Sequence, residues 1–210
     1  MKNKLTLAAA LALASSAAFA QSGEKDGWYA GLDLGYTRLG ISGGDIDGAL
    51  ANQGIASSTS IDQSDKSIGI SGGYRFNRNF AAEAAWESLG RYAYSSTTAA
   101  DTINGKLKPS ALSLSALGIY PFTRNWSAYG KLGVTRTEMD LTASSTTGAT
   151  AVSNQSSSST GWLVGGGLTY DFDGGYYTKL GWDRYEHVGD SASTGKGSID
   201  LYQIGVGMRF

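Results

Sequence analysis

The chain alternates between apolar residues and small or polar residues over long stretches, which is the pattern of a β-strand with two unlike faces. In the segment WYAGLDLGYTR, which begins at Trp28, one set of alternate positions is apolar and the other is mostly small or charged. The alternation predicts eight strands. Their approximate ranges are 28–38, 67–76, 80–94, 107–122, 126–143, 160–172, 176–188 and 198–210.

A seven-residue phrase occurs three times, as YRFNRNF, YPFTRNW and YDFDGGY, beginning at Tyr74, Tyr120 and Tyr170. Each phrase places two aromatic residues around three residues that suit a tight hairpin turn. The other connections, at about 40–65, 95–106, 144–159 and 189–197, are long and polar, and 144–159 holds ten Ser or Thr. Short turns at one end and long loops at the other predict an all-β fold, an eight-stranded antiparallel up-and-down transmembrane β-barrel.

Alternation alone does not decide which face looks outward, because a soluble barrel has an apolar interior and a membrane barrel inverts that arrangement. Aromatic residues at the strand ends favour the membrane form, since they form a girdle at a membrane–water interface. The predicted girdle consists of Trp28, Phe76, Phe80, Phe122, Trp126, Phe172, Tyr176 and Phe210.

The polar face carries charges of both signs in equal number, which suits a sealed interior where charges must pair. Eight strands leave an interior that side chains can fill. The alternative for any one member is that it faces solvent near a strand end. The predicted interior ion-pair network is Asp33, Arg75, Glu83, Glu87, Lys131, Lys179, Asp183 and Arg209.

Basic residues on the apolar face occur only far from the aromatic phrases. Trp28 to Arg38 and Trp126 to Arg136 are each ten residues apart, and a tilted strand of that length covers about 25 Å, the height of the apolar band. These bases therefore fall at the outer boundary, where lipopolysaccharide phosphates lie, and the alternative is that they are solvated loop residues. The set is Arg38, Lys108, Arg136 and Arg184.

The first twenty residues, MKNKLTLAAALALASSAAFA, have a basic start, a short apolar run and a small-x-small ending. This pattern predicts a signal peptide at 1–20 and a barrel domain at 21–210, exported to the outer membrane of a Gram-negative cell. Without Lys2 and Lys4 the chain has 15 basic and 18 acidic residues, which argues against a nucleic-acid partner. The sequence has no cysteine, so it forms no disulfide.

Four segments carry a family resemblance: WYAGLDLGYTR, GGYRFNRNFAAEAAWESLGR, YGKLGV and YYTKLGWDRYEHVGD. They resemble the barrel domain of the outer membrane protein A family from about Trp28 to Phe210. The resemblance implies interior charges at Glu83, Lys131 and Lys179. Leu117 and Thr169 depart from it, because the type protein has a Lys and a Glu there, which puts a gating role for that pair in doubt.

Two further expectations come from the resemblance. The chain ends with the barrel, so we expect it to lack the family's peptidoglycan-binding domain. The last strand has an unbroken apolar face from Tyr202 to the terminal Phe210, and the resemblance implies that the barrel-assembly machinery reads this ending.

The favoured function is a non-enzymatic, structural outer-membrane barrel in contact with lipids and lipopolysaccharide, with narrow passage of small solutes as an addition. The alternative is a surface adhesin or receptor that acts through its Ser/Thr-rich loops. A lipid A-modifying enzyme is less favoured, because His187 with Asp190 and Ser191 nearby in sequence is a weak triad signal. We predict no catalytic, cofactor-binding or metal-binding residues, and we expect a monomer.

Overall fold

The computed structural model describes residues 26–40, 43–52, 56–98, 102–145, 155–188 and 197–210. The predicted signal peptide lies outside these ranges. The described residues form ten strands and one helix. In chain order these are β1 (Gly27–Leu39), α1 (Gly43–Ala51), β2 (Ser57–Ile61), β3 (Ser64–Asn77), β4 (Phe80–Ser88), β5 (Tyr92–Thr98), β6 (Thr102–Pro121), β7 (Trp126–Ser145), β8 (Gln155–Asp171), β9 (Tyr176–Val188) and β10 (Gly197–Arg209).

Eight strands close into an antiparallel barrel in the order β1, β3, β4, β6, β7, β8, β9, β10. The barrel closes where β1 pairs with β10, in a register that runs from Tyr29 opposite Arg209 to Leu39 opposite Ile199. The predicted all-β barrel of eight antiparallel strands is therefore confirmed. Its short connections, at 78–79, 122–125 and 172–175, all lie at one end, which we call the short-turn end.

The predicted strand at 80–94 is interrupted at Leu89–Arg91, which separates β4 from β5. Gly90 has a φ of +93°, which L side chains rarely adopt. The hydroxyl of Thr37 donates to the carbonyl oxygens of Leu89 (3.1 Å) and Asp65 (2.9 Å), and it fixes the break from the lumen side. The break lets the chain turn Leu89 into the barrel mouth and then resume pairing with β6.

Three predicted loops are wrong in extent. The range 40–65 contains α1 and β2, and the range 95–106 is largely strand, because β5 reaches Thr98 and β6 begins at Thr102. The range 144–159 overlaps the end of β7 and the start of β8 at Gln155. Strand β2 pairs with β5, so main-chain hydrogen bonds extend the sheet beyond the barrel. Ser- and Thr-rich segments pair as strands here without the apolar alternation by which the other strands were predicted.

The barrel wall has an apolar outside and a polar inside. Outward residues such as Leu34, Ile204 and Val206 are about 60% exposed, whereas Asp33 beside them is 2% exposed. Within the described ranges, no helix is long and apolar enough to cross a membrane.

Candidate functional site

The lumen is filled by three successive layers of side chains, of which the outermost is apolar. Leu163, Ile199 and Leu201 in this layer have no exposed surface, and Tyr92 and Tyr185 are 1% exposed. The layer lies towards the end opposite the short turns. Its members are Leu39, Leu89, Tyr92, Ala111, Met139, Leu163, Tyr185, Val188, Ile199 and Leu201.

The central layer is ionic. Lys131 Nζ lies 2.6 Å from Asp183 Oδ2 and 3.3 Å from Glu83 Oε1. Lys179 Nζ lies 3.0 Å from Asp33 Oδ2. These five side chains are at least nine-tenths buried, so the ion pairs are screened little by solvent.

Neutral side chains complete the hydrogen bonding of these carboxylates. Tyr29 donates its hydroxyl to Glu83 (3.1 Å), Ser71 donates to Asp33 (3.2 Å), and Gln203 donates its amide to Asp183 (2.7 Å). The role of Gln203 and Tyr29 was missed from the sequence, although both fall on the inward set of alternate positions.

Glu87, the fourth carboxylate of the central layer, has a different environment. It is 3% exposed, yet the described residues place no ion-pair partner beside it, and its Oε2 has no hydrogen-bond partner. Its neighbours across the two adjacent strands are Gly69 and Ala111, which carry no charge.

The third layer, at the short-turn end, holds the two predicted arginines. Arg75 donates to the carbonyl oxygens of Asn77 (3.2 Å) and Arg78 (2.7 Å) in the first turn. Arg209 pairs with Asp171, and its guanidinium lies 4.9 Å from the ring centre of Tyr177. Asp171 was not predicted, although it lies in the predicted strand 160–172, close to the turn at its end.

A cavity of about 40 Å³ lies between the second and third layers, and Leu117, Thr169, Tyr129 and Tyr177 contribute to its lining. This volume holds a few water molecules. The hydroxyl groups of Tyr129 and Tyr177 are buried without a protein partner. Leu117 is directly opposite Lys131 and Thr169 opposite Lys179, so the two departures from the family pattern adjoin the two lumen lysines.

Aromatic residues encircle the outside at two heights. The belt near the short turns includes the T-shaped pairs Trp28–Tyr74 and Trp126–Tyr170. A second belt, which sequence reasoning missed, lies about eight residues further along the strands, with an apolar band between the two. It consists of Tyr36, Trp86, Trp162, Trp182 and Tyr202.

The four outward basic residues lie beyond the second belt or level with it, and they differ in their surroundings. Arg184 lies 2.5 Å from Glu186 and 3.6 Å from Asp200, and Arg38 is also opposite Asp200 in register. Lys108 is opposite Asp140. Arg136 donates to Ser158 (3.3 Å) and is opposite Leu112 and Thr160, so no carboxylate faces it across either neighbouring strand.

Beyond the outward basic residues, further from the short-turn end, one carboxylate links α1 to β2. Asp47 accepts hydrogen bonds from the hydroxyls of Ser57 and Thr59 (both 2.7 Å) and from the Thr59 amide (3.0 Å). The bonds from Thr59 and then from Ser57 lower the pKa of Asp47 below its ordinary value. The carboxylate therefore holds α1 against β2.

The extended sheet formed by β2, β5, β6 and β7 carries a groove of about 510 Å³ on its outward face. Six of its ten lining residues carry a hydroxyl or amide side chain, and the others include one carboxylate and one ammonium group. The lining residues are Ser60, Asp62, Ala93, Tyr94, Ser95, Asn104, Gly105, Lys106, Thr142 and Ser144.

His187 is exposed and has a left-handed φ of 61°. It stands beside the shift in register between β9 and β10. Asp190 and Ser191, the partners considered from the sequence, lie outside the described residues.

An apolar exterior between two aromatic belts, around a lumen packed with ion pairs, defines an outer-membrane β-barrel. Residues 6–210 match the outer membrane protein beta-barrel domain family. The chain belongs to this family, which confirms the resemblance found in the sequence and places the protein in the outer membrane.

Curated relatives agree with this assignment. Outer membrane protein A of Shigella flexneri is 29% identical over 209 residues, which is 99% of this chain and 56% of the relative. The same protein of Salmonella typhi is 28% identical over 209 residues, with 99% and 55% covered. The chain thus spans about half the length of the curated relatives it matches.

Two solved structures share the fold. Neisserial surface protein A has a TM-score of 0.58 at 16% identity, with 87% of this chain and 97% of that chain covered. OprG from Pseudomonas aeruginosa has a TM-score of 0.58 at 16% identity, with 90% and 98% covered.

Proposed function

We propose that this chain is a structural, non-enzymatic barrel of the outer membrane that holds its lumen closed to free solute flow. The observation that carries the proposal is the apolar outer layer, in which Leu163, Ile199 and Leu201 are fully buried. An ion or sugar on a path through this layer would have to leave its water shell without finding a polar partner.

A slow leak of small solutes would require two changes together. The apolar layer would have to part, and Lys131 would have to exchange one of its two carboxylate partners, Glu83 and Asp183, to widen the ionic layer. Because each step breaks buried contacts, we expect such openings to be rare and short.

The test is single-channel recording of the refolded protein, without residues 1–20, in a planar bilayer. We expect a silent membrane from a barrel whose heat-modifiable gel mobility shows that it is folded. Discrete openings that change in frequency with Leu201→Ser, and do not change with Ile204→Ser on the lipid face, would show instead that the protein is a gated pore.

The four outward bases are candidates for lipopolysaccharide contact. Arg136 is the strongest, because no carboxylate faces it in register, whereas Glu186 and Asp200 partly neutralise Arg184. We expect Arg136→Gln to reduce the gain in thermal stability that lipopolysaccharide gives over phospholipid vesicles. Arg184→Gln serves as the matched control with a smaller effect, and equal effects would contradict the ranking.

Recognition by the barrel-assembly machinery is proposed for the C-terminal strand. The Phe210 amide donates to the Trp28 carbonyl (2.8 Å), so the terminal residue is fixed beside the first strand. Tyr202 points outward from the same strand. Before the barrel closes, this apolar face and its strand edge would both be accessible to an assembly factor.

A second candidate function is binding at the cell surface. The groove on the extended sheet favours it, because hydroxyl and amide groups from four strands suit a polar surface ligand. The test is adhesion of beads that carry the folded barrel to host cells. Loss with Asp62→Ala/Lys106→Ala, and retention with the exposed control Lys66→Ala, would favour an adhesin; no adhesion by the native barrel would exclude that role for those cells.

A further inference from the structure

The central lumen layer contains more negative than positive charge. Its acids are Asp33, Glu83, Glu87 and Asp183, and its bases are Lys131 and Lys179. The two arginines of the lumen do not make up the difference, because Arg75 is engaged by turn carbonyls and Arg209 by Asp171. The layer is short of two positive charges.

Glu87 is the acid of this layer that has no ammonium partner at all. Asp33, Asp183 and Glu83 each lie within 3.3 Å of an ammonium nitrogen. Glu87 has no such partner in the part of the chain that the structure describes, and it is 3% exposed. A buried carboxylate without a counter-charge is strongly disfavoured as an anion.

The groups facing Glu87 come from several strands. Asp33 on β1 and Asp183 on β9 act on it with like charge, and Lys131 on β7 and Lys179 on β9 act with opposite charge. Tyr185 on β9 also interacts with it electrostatically. The two lysines are already paired with other carboxylates, so they do not cancel the repulsion between Glu87 and the neighbouring acids.

The hydrogen-bond balance shows the same deficit. Four buried oxygen atoms of the layer lack a partner: Asp33 Oδ1, Glu87 Oε2, Asp183 Oδ1 and Gln203 Oε1. All four are acceptors, and the two unpartnered hydroxyls nearby, those of Tyr129 and Tyr177, adjoin the cavity on the short-turn side of the layer. The amide nitrogen of Gln203 already donates to Asp183.

We propose that Glu87 is a proton-binding site, which carries a proton in the folded barrel and is a neutral carboxylic acid. A proton taken from water forms one O–H bond, removes one negative charge and turns one acceptor into a donor, and no other bond changes. A metal ion does not fit as well, because among the described residues no group of three or more His, Cys, Asp or Glu is placed to hold one.

Infrared spectroscopy of the folded barrel in micelles of a detergent without ester groups, at neutral pH, tests the proposal directly. A neutral carboxylic acid has a carbonyl stretching band that a carboxylate lacks. We expect this band in the native protein, its loss in Glu87→Gln, and its retention in Glu83→Gln. A native spectrum without the band, or a band that survives Glu87→Gln, would overturn the proposal.

A second measurement needs no variant. The chain has five glutamates, so a protein labelled with carbon-13 at the glutamate carboxyl group gives few signals. We expect one of them to have the chemical shift of the neutral acid at neutral pH. Five carboxylate shifts would contradict the proposal, and stabilisation by sodium over a bulky organic cation at constant ionic strength would then indicate a metal ion instead.

Unfolding supplies an independent comparison. Replacing a neutral acid by a neutral amide of similar shape leaves the charge of the layer unchanged, so Glu87→Gln should keep or raise the urea midpoint. Glu83→Gln removes a carboxylate from Lys131 and should lower it. A fall for Glu87→Gln as large as that for Glu83→Gln would show that Glu87 is charged.

Discussion

At Gly205, an added methyl group would meet the carboxylate of Asp33 and the aliphatic part of Lys179. At Gly69, an added methyl group would likewise meet the carboxylate of Glu87. Glycines on the inner wall therefore make room for the charged side chains of the neighbouring strand. The alternation pattern showed only that these positions are small, and the reason lies in the strand beside them.

Gly205→Ala is expected to destabilise the barrel by about 1–3 kcal/mol, because the new methyl group displaces the Asp33–Lys179 pair. Gly118→Ala is the matched control, since Gly118 is outward and has nothing within 4 Å of an added methyl group. Urea unfolding of both refolded variants checks this. Equal midpoints would show that the lumen side chains move aside without cost.

The two lysines differ in how many carboxylates hold them. Lys179 has one carboxylate within ion-pair distance, Asp33, whereas Lys131 has two. We expect Asp33→Asn to cost about 3–5 kcal/mol, since it leaves a buried ammonium without that partner. Glu83→Gln should cost less, about 1–3 kcal/mol, and a reversed order of urea midpoints would contradict this account.

Alternation placed Asp33, Glu83 and Lys131 on one face of their strands, but it could not assign their partners. Lys131 on β7 reaches Asp183 on β9 because the lumen is narrow, and the distance across it depends on the tilt and stagger of every strand. Asp171 escaped prediction for a different reason. It belongs to the inward set of β8, but it is the last residue of that strand, where a charged side chain can also face solvent.

At the level of elements, the strands were predicted well where one face meets lipid and poorly beyond the membrane. Strand β2 has the sequence SSTSI, in which both faces are mostly hydroxyl, so no contrast marks it as a strand. It forms because β5 offers a free edge to pair with. Such a strand depends on its neighbour, and sequence pattern alone does not reveal it.

The link between α1 and β2 should depend on pH. The pKa of Asp47 is lowered by its bonds from Thr59 and Ser57. The link is therefore complete above the pKa of free aspartate, about 3.9, and is lost as the pH falls through the lower folded-state value. We expect the protection factors for amide hydrogen exchange in 57–61, which are corrected for the pH dependence of intrinsic exchange, to fall on acidification to that range.

Asp47→Asn is the control for this effect, because it weakens the same bonds without titrating. Its protection factors in 57–61 should be lower than those of the native protein at neutral pH and should change little on acidification. Equal pH dependence in both proteins would mean that another group controls the first long connection.

At the scale of the whole molecule, the two aromatic belts fix the position of the barrel in the bilayer. The sequence has five tryptophans. Trp28 and Trp126 lie in the belt near the short turns, and Trp86, Trp162 and Trp182 lie in the second belt. All five lie towards one of the two interfaces.

Variants that keep a single tryptophan should all be quenched more strongly by lipids brominated near the headgroup than by lipids brominated at the chain ends. A water-soluble quencher added outside oriented vesicles should separate the two belts. Stronger quenching of Trp162 or Trp86 by the lipids brominated at the chain ends would show that the apolar band extends further than the second belt.

The Asp33–Lys179 pair joins β1 to β9 across β10, so it spans the seam at which the first and last strands meet. Its two charges begin at opposite ends of the chain and meet only when the cylinder is complete. In an unfinished sheet both stay hydrated, and an open form has little reason to bury either one. The pair thus stabilises the closed barrel against separation of β1 from β10, in addition to the main-chain hydrogen bonds between these strands.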